Sequence, residues 1–165
     1  MFGVSFGGIV GAEACLKDPR LNACLVMDVV MSADVVKLGL QQPGMWITRD
    51  VETMRLEREK SGGWTEADIK QTQSTMRAVY NSLPGDGYFV QIPGMFHIDL
   101  TDDNYLSPIF PSIGFSGPIG SQRAHDIINA YSLAFFDRHL KNLPKALLEG
   151  SAKQYPEVLF ETRLP

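Results

Sequence analysis

The sequence has few of the features that indicate a disulfide framework, a zinc site or a membrane span. Its 165 residues contain only two cysteines, Cys15 and Cys24. Both lie among apolar residues, one in a predicted helix and one at the edge of a predicted strand, so we expect buried free thiols. No Cys/His spacing is typical of a zinc site, and we expect no metal. No apolar run is long enough to span a bilayer, so no transmembrane segment is expected.

The sequence also lacks an excess of positive charge. Fifteen Lys and Arg residues stand against 19 Asp and Glu, a net charge of −4, so we expect no nucleic-acid or anionic-membrane partner. No charged segment followed by an apolar one opens the chain, which predicts a cytoplasmic protein if the chain is complete. With 44% apolar and 21% charged residues, the composition is that of an ordinary globular domain with a sizeable core.

Predicted strands and helices alternate along the chain. Apolar runs predict strands at residues 22–30, 44–48 and 88–92. Helices are predicted at residues 9–16, at 65–83 with Thr65 as N-cap, and at 121–142 with Ser121 as N-cap. The charged residues 49–63 are predicted as a solvated helix or loop, residues 105–120 as a loop, and the tail from about 144 as extended. This alternation predicts one α/β domain over residues 1–165 with a mostly parallel sheet and flanking helices.

The segment Gly3-Val4-Ser5-Phe6-Gly7 matches G-x-S-x-G, the nucleophile elbow of serine hydrolases. In this motif the serine occupies a strained strand-to-helix turn, and glycines on either side let the strand and helix approach closely. Ser5 is therefore the predicted nucleophile. The backbone N–H of Phe6, at the start of the following helix, is the predicted oxyanion donor. The alternative is a glycine-rich turn with no chemical role.

A serine hydroxyl needs a base to take its proton. His97 follows a predicted strand, in a loop after Pro93-Gly94, and the order serine, acid, histidine is that of the hydrolase triad. His97 is therefore the predicted base. The other histidines, His125 and His139, fall inside the last predicted helix, where a surface or packing role is expected.

Two positions compete for the acid that orients the histidine. Asp28 interrupts the apolar run 22–30, and a carboxylate there is costly unless it has a partner. Asp50 and Glu52 follow the next predicted strand, the commoner position for this acid, but they lie in a charged stretch typical of a solvated surface. We favour Asp28 and keep Asp50 or Glu52 as the alternative.

These residues resemble the platelet-activating-factor acetylhydrolases and their bacterial relatives. The elbow of that family is G-x-S-F-G-G, as in residues 3–8, its acid lies on the strand after the elbow helix, as Asp28 does, and its histidine follows a G-x-x-H segment, as in Gly94 to His97. The resemblance covers most of residues 1–142. It implies a carboxylic-ester hydrolase with a Ser5/Asp28/His97 triad and no cofactor, acting on short-chain esters or on phospholipids with a short sn-2 acyl chain.

The chain departs from this family at its front. Several strands precede the elbow in the α/β-hydrolase fold, and one of their loops supplies the second oxyanion donor, but only four residues precede Ser5. We therefore expect the C-terminal portion of an α/β-hydrolase fold, with the N-terminal strands missing or supplied by another chain. A non-catalytic binding or scaffold protein on the same fold is the rival prediction.

The apolar residues 105–115 follow His97. They could line an acyl pocket or contact a lipid surface, but a loop packed on the core is the favoured expectation.

Overall fold

The computed structural model describes residues 1–107, 109–150 and 153–164. At its centre is a five-stranded sheet whose strands follow one another in sequence order: β1 (Phe2–Val4), β2 (Cys24–Met27), β3 (Gly44–Thr48), β4 (Gly87–Gln91) and β5 (Leu159–Arg163). The first four strands are parallel, and β5 is antiparallel to β4. The carboxyl ends of β1 to β4 therefore share one edge of the sheet.

Helices connect the parallel strands, because such strands need a crossover to return to the same end of the sheet. The α-helices are α1 (Phe6–Lys17), α2 (Ala33–Leu38), α3 (Val51–Ser61), α4 (Glu66–Ser82), α5 (Asp103–Leu106), α6 (Ile109–Ser112) and α7 (Ser121–Lys141). Short 3-10 turns occupy His97–Leu100 and Ala146–Leu148. None of the helices in the described ranges is long and apolar enough to cross a membrane.

The sheet lies between two layers of helices. Successive residues of a strand point to opposite faces of the sheet. Leu25 of β2 therefore lies in the core cluster on one face, and Val26 lies in the cluster on the other. The first cluster packs the sheet against α7, with side chains such as Tyr131. The second packs it against α1, α2 and α4, with side chains such as Met76. Both faces of the central strands are buried, as the continuous apolar runs predict.

Several predicted elements match the structure closely. The second predicted strand has the bounds of β3, and Thr65 caps α4 by accepting the Asp68 N–H at 3.1 Å while Asp68 accepts the N–H of Thr65 at 2.9 Å. The charged stretch after β3 forms helix α3. The tail predicted as extended is so at β5, but it also contains the 3-10 turn Ala146–Leu148. Cys15 and Cys24 are free and buried, as expected.

Two local predictions are wrong. Gly120, not Ser121, is the N-cap of α7, because the Ser121 hydroxyl instead donates to the buried carboxylate of Asp99 at 2.9 Å. The segment 105–120 is not a continuous loop, since it contains the end of α5 and all of α6. Pro108 within it lies outside the described residues.

The expectation that this apolar segment packs on the core is also wrong for most of its described side chains. Leu106 is 78% exposed, and Tyr105, Ile109 and Ile113 are also exposed.

Candidate active site

Ser5 occupies the turn between β1 and α1. Its φ of 53° and ψ of −127° lie in a region that residues with a Cβ rarely adopt, as expected for a nucleophile elbow. Hydrogen bonds from the backbone N–H and to the carbonyl of Ser5 stabilise this strained conformation. The Ser5 N–H donates to the Met27 carbonyl at 3.0 Å, and its carbonyl accepts the N–H of Gly8 at 2.8 Å.

The glycines around Ser5 are not equivalent. A Cβ on Gly3 would lie 2.1 Å from the Gly7 carbonyl oxygen, and one on Gly8 would lie 2.8 Å from Val29 Cγ1. A Cβ on Gly7 would meet nothing within 4 Å. The close approach of β1 and α1 therefore depends on Gly3 and Gly8, and the sequence-based reason given for Gly7 is wrong.

Asp28 and His97 lie in contact at the carboxyl edge of the sheet. Asp28 directly follows β2, is completely buried and has a φ of 49°. His97 begins the 3-10 turn after β4. The Nδ1 atom of His97 is 2.7 Å from Oδ2 of Asp28, although 69 residues separate the two in the chain. The imidazole remains partly accessible, with 23% of the side chain exposed.

Ser5 directly follows β1 and Asp28 directly follows β2, and the Val4–Met27 pair ends the ladder between these two strands. The hydrogen bonds of the described residues include none from the Ser5 hydroxyl to His97. Bonds of this kind are often long in a ligand-free hydrolase and tighten when substrate binds. The structure thus brings Asp28 into contact with His97 and places Ser5 at the same edge of the sheet.

Asp28 is surrounded by donors. The Thr48 hydroxyl donates to Oδ1 at 2.7 Å, and Arg49 Nε lies 2.8 Å from Oδ2. Burial alone would raise the pKa of Asp28, but the Arg49 charge, His97 and the Thr48 hydroxyl together lower this pKa to about 2. Asp28 is therefore ionised at neutral pH and able to orient the imidazole.

The alternative acids are engaged elsewhere. Asp50 is the N-cap of α3, and its carboxylate accepts the Thr53 N–H at 2.7 Å. Glu52 is largely exposed and pairs with Arg55 at 2.7 Å. Among the described residues, neither carboxylate contacts His97.

Arg49, Glu57 and Trp64 also belong to this site, and the sequence reasoning missed them. Arg49 is completely buried and also pairs with Glu57. Glu57 in turn accepts the backbone N–H of His97 at 3.1 Å. A usable signal was present, since Arg49 directly follows β3, and the ends of neighbouring parallel strands meet at one edge. The charged stretch around it pointed instead to a solvated surface.

A second buried carboxylate shapes the segment after His97. Asp99 is completely buried and accepts hydrogen bonds from three backbone or amide nitrogens and two hydroxyls: Phe96 N, Gly117 N, Asn104 Nδ2, Ser116 Oγ and Ser121 Oγ. These bonds tie the turn that carries His97 to the start of α7.

Phe6 is the first residue of α1, where backbone N–H groups have no partner within the helix. Its N–H lies at the elbow, and its role as oxyanion donor stays a prediction. The Phe6 side chain is 74% exposed.

The remaining histidines have packing contacts. His125 Nε2 is 2.9 Å from the Thr101 carbonyl, and His139 Nε2 is 3.2 Å from the Tyr88 hydroxyl. Burial lowers the pKa of His139. Neither residue contacts Asp28 or Ser5 within the described part of the chain.

An open groove of about 570 Å³ lies beside β1. It runs between the first two strands and α7, and its mostly apolar lining includes Phe2, Val4, Met27, Leu133 and Phe136. The groove lies beside the edge of the sheet formed by β1, which pairs only with β2 in the described structure.

No protein-family model matches the chain, and no curated protein matches it. Among solved structures, a ferulic acid esterase from Streptomyces cinnamoneus is similar, with a TM-score of 0.76 and 24% sequence identity. The chain therefore shares the α/β fold of the matched part of that structure. The match covers 96% of this chain and 45% of the esterase, so the chain spans less than half the length of that protein. In this fold, Ser5, Asp28 and His97 follow β1, β2 and β4 at one edge of the sheet.

Proposed function

We propose that the chain carries the catalytic residues of a carboxylic-ester hydrolase, with Ser5 as nucleophile, His97 as general base and Asp28 as orienting acid. The observation that supports this proposal most strongly is the 2.7 Å contact between His97 Nδ1 and the buried Asp28 carboxylate. It lies beside a serine whose backbone is strained as in a nucleophile elbow.

The proposed reaction follows from these positions. The Ser5 hydroxyl attacks the ester carbonyl while His97 Nε2 accepts its proton, and Asp28 stabilises the imidazolium that forms. The Phe6 N–H donates to the oxyanion. His97 then passes the proton to the leaving alcohol, and an acyl-enzyme remains. A water molecule deprotonated by His97 attacks the acyl group, and the acid is released as Ser5 recovers its proton.

The substrate class rests on the resemblance to the platelet-activating-factor acetylhydrolases. We propose short-chain esters, or phospholipids with a short sn-2 acyl chain. The exposed apolar side chains of α5 and α6, such as Leu106 and Ile109, are suited to contact an acyl chain or a lipid surface. A panel of p-nitrophenyl acetate, a short sn-2 phospholipid and a ferulate ester would test this choice. Preference for the ferulate ester would contradict it.

We further propose that residues 1–165 are one part of a larger hydrolase domain, and that preceding strands or another chain cover β1. The exposed Phe2 and the apolar groove support this proposal. These strands would also bring the second oxyanion donor, which is typically worth on the order of 10²–10³ in rate.

Labelling with a fluorophosphonate probe tests the nucleophile. We expect Ser5→Ala to abolish labelling, whereas the control Ser74→Ala, an exposed serine of α4, keeps it. Labelling seen only in a longer form that supplies the preceding strands would support the proposed division of the domain. Labelling that survives in Ser5→Ala, or that is absent from both forms, would overturn the proposal in favour of a non-catalytic protein.

A further inference from the structure

Three charged side chains lie together behind His97. Asp28 and Arg49 are completely buried, and Glu57 is 7% exposed. Burying several charges is costly, and an apolar replacement of similar volume is often as stable. Packing alone therefore does not explain why these three charged side chains are buried together. Their contacts with His97 offer an explanation.

The cluster holds His97 at two points. Asp28 Oδ2 contacts the imidazole Nδ1 at 2.7 Å, and Glu57 Oε2 accepts the His97 backbone N–H at 3.1 Å. Arg49 joins the two carboxylates, with its Nε 2.8 Å from Asp28 Oδ2 and its Nη1 paired with Glu57. Side chain and backbone of His97 are thus fixed through one guanidinium.

Trp64 covers this arrangement. The Arg49 guanidinium carbon lies 5.0 Å from the centre of the Trp64 ring. The same ring meets the His97 imidazole edge to face, with 5.6 Å between centres. An aromatic ring over a cation and an imidazole limits their access to water, which strengthens the interactions among the charges.

The charges of the cluster depend on the state of His97. With neutral imidazole, the two carboxylates and one guanidinium sum to −1, and with imidazolium the sum is zero. The other charged groups nearby are directed elsewhere. The Lys60 ammonium lies over the Phe96 ring at 5.5 Å, and Asp99 accepts its hydrogen bonds from other residues. Asp28, Arg49 and Glu57 are therefore the charges that His97 meets from β2, β3 and α3.

We propose that Arg49 and Glu57 are positioning residues for His97, holding its backbone and setting the charge that its imidazolium meets. This inference rests on the proposed function, because it assigns the pair to the base of that reaction. In this proposal, Glu57 is a second carboxylate, beside Asp28, that stabilises the His97 imidazolium. The positive charge of Arg49 limits that stabilisation.

The test is a titration of His97 in the folded chain, followed by NMR of its imidazole carbon-bound proton and assigned with His97→Gln. Glu57→Gln removes a negative charge, so the midpoint should move to lower pH by about one pH unit. Arg49→Met removes a positive charge, so the midpoint should move to higher pH by a similar amount. His125 and His139 serve as internal references, and Arg55→Met is the control for loss of a surface arginine.

A purely structural role would change stability without moving the midpoint in opposite directions. Unchanged midpoints in both variants, or shifts equal to that of Arg55→Met, would therefore overturn the proposal. If Arg49→Met does not fold, Glu57→Gln decides alone: a lower midpoint supports the proposal and an unchanged one overturns it.

Fluorophosphonate labelling of the unaltered chain separates this inference from the proposed function. Opposite shifts of the His97 midpoint, without labelling of Ser5 in either this chain or the longer form, would support the positioning role and contradict the esterase. Labelling of Ser5 with unchanged midpoints would leave the esterase and remove the positioning role.

Discussion

The two edges of the sheet differ in how they are protected. The outer strand β5 carries Glu161 and Arg163, and Glu161 pairs with Arg77 at 2.7 Å. The opposite strand β1 lies in residues 1–12, a segment without a charged side chain, and Phe2 on it is 63% exposed. Charged residues on an edge strand discourage pairing with other chains. The charges of β5 therefore protect that edge against such pairing, and we call it the guarded edge, whereas β1 has no such charges.

The difference divides the candidate site into two halves. The nucleophile half, Ser5 and the Phe6 N–H, adjoins the unguarded edge. The acid–base half, Asp28 and His97 with Arg49 and Glu57, lies between β2 and β4 and is tied together by buried contacts. We therefore expect substitutions in the acid–base half to act through electrostatics, and those in the nucleophile half to act through backbone geometry and association.

The largest expected effect is on the rate at which Ser5 is labelled, when Asp28 is replaced. In a triad, replacing the orienting Asp with Asn typically lowers the rate by ~10⁴, because the imidazole takes the wrong tautomer. We expect Asp28→Asn to slow labelling of Ser5 by about that order. Asp50→Ala, which removes only the cap of α3, should cost ~1 kcal/mol of stability and leave the labelling rate close to that of the unaltered chain. Equal slowing in both variants would contradict the choice of Asp28.

At the elbow, the expected effect is on stability. Gly3→Ala forces a Cβ against the Gly7 carbonyl, at 2.1 Å before relaxation, and should destabilise the fold by about 3 kcal/mol. Gly7→Ala has open space and lies in helix α1, so it should stabilise by up to ~1 kcal/mol. Urea denaturation followed by circular dichroism measures both. Similar losses in the two variants would show that strand and helix do not meet as described.

The acid–base half should also give the stability a dependence on pH. The pKa of Asp28 is about 2 in the fold and about 3.9 in an unfolded chain. Because the folded pKa is the lower one, the contribution is fully present above pH ~4 and is lost as the pH falls through 2. It amounts to ~2 kcal/mol. Urea midpoints between pH 6 and pH 2 should show this loss in the unaltered chain.

Two variants sharpen the pH experiment. Asp28→Asn should show a smaller loss of stability between pH 4 and pH 2 than the unaltered chain. The exposed Glu66, whose pKa its bonds to Arg55 and Arg58 lower to about 2, offers a comparison, because added salt should screen its contribution and not that of Asp28. A loss of the same size in Asp28→Asn and in the unaltered chain would assign the effect to other carboxyl groups.

The smallest expected effect on stability is at the open edge. Phe2→Lys should change the free energy of unfolding by less than about 1 kcal/mol, since the Phe2 side chain is 63% exposed and its ring meets Phe136 edge to face. It should nevertheless reduce self-association in sedimentation experiments, because a lysine guards the edge. Glu161→Lys at the guarded edge is the control, and an equal response there would remove the distinction between the edges.

Much of the fold follows from the sequence because its signals are local. The apolar runs predict β2 to β4, since strands buried on both faces must be continuously apolar. The Thr65 cap of α4 is likewise visible in its own segment. The residues Asp28 and His97, chosen on sequence grounds, lie 2.7 Å apart in the structure, and their chemical roles remain predictions.

The rest depends on contacts between distant segments. Arg49 and Glu57 look like members of a solvated stretch until β2 and β3 pair and bring them to Asp28. Helices as short as α5 and α6 have little stability of their own, so a segment rich in proline and glycine gives no sign of them. The Ser121 hydroxyl donates to Asp99, a partner from a distant segment, and does not cap α7.

The buried charge cluster has a consequence for the order in which the chain folds. It joins residues as far apart as Asp28 and His97, so it requires the closure of a long loop, and its charges lose water only when β2, β3 and β4 are already paired. We expect the cluster to form after the transition state and to slow unfolding more than it speeds folding. A partly folded chain would then have Ser5 on its short local turn while His97 still lacks its contact with Asp28, so that the proposed triad is complete only at the end of folding.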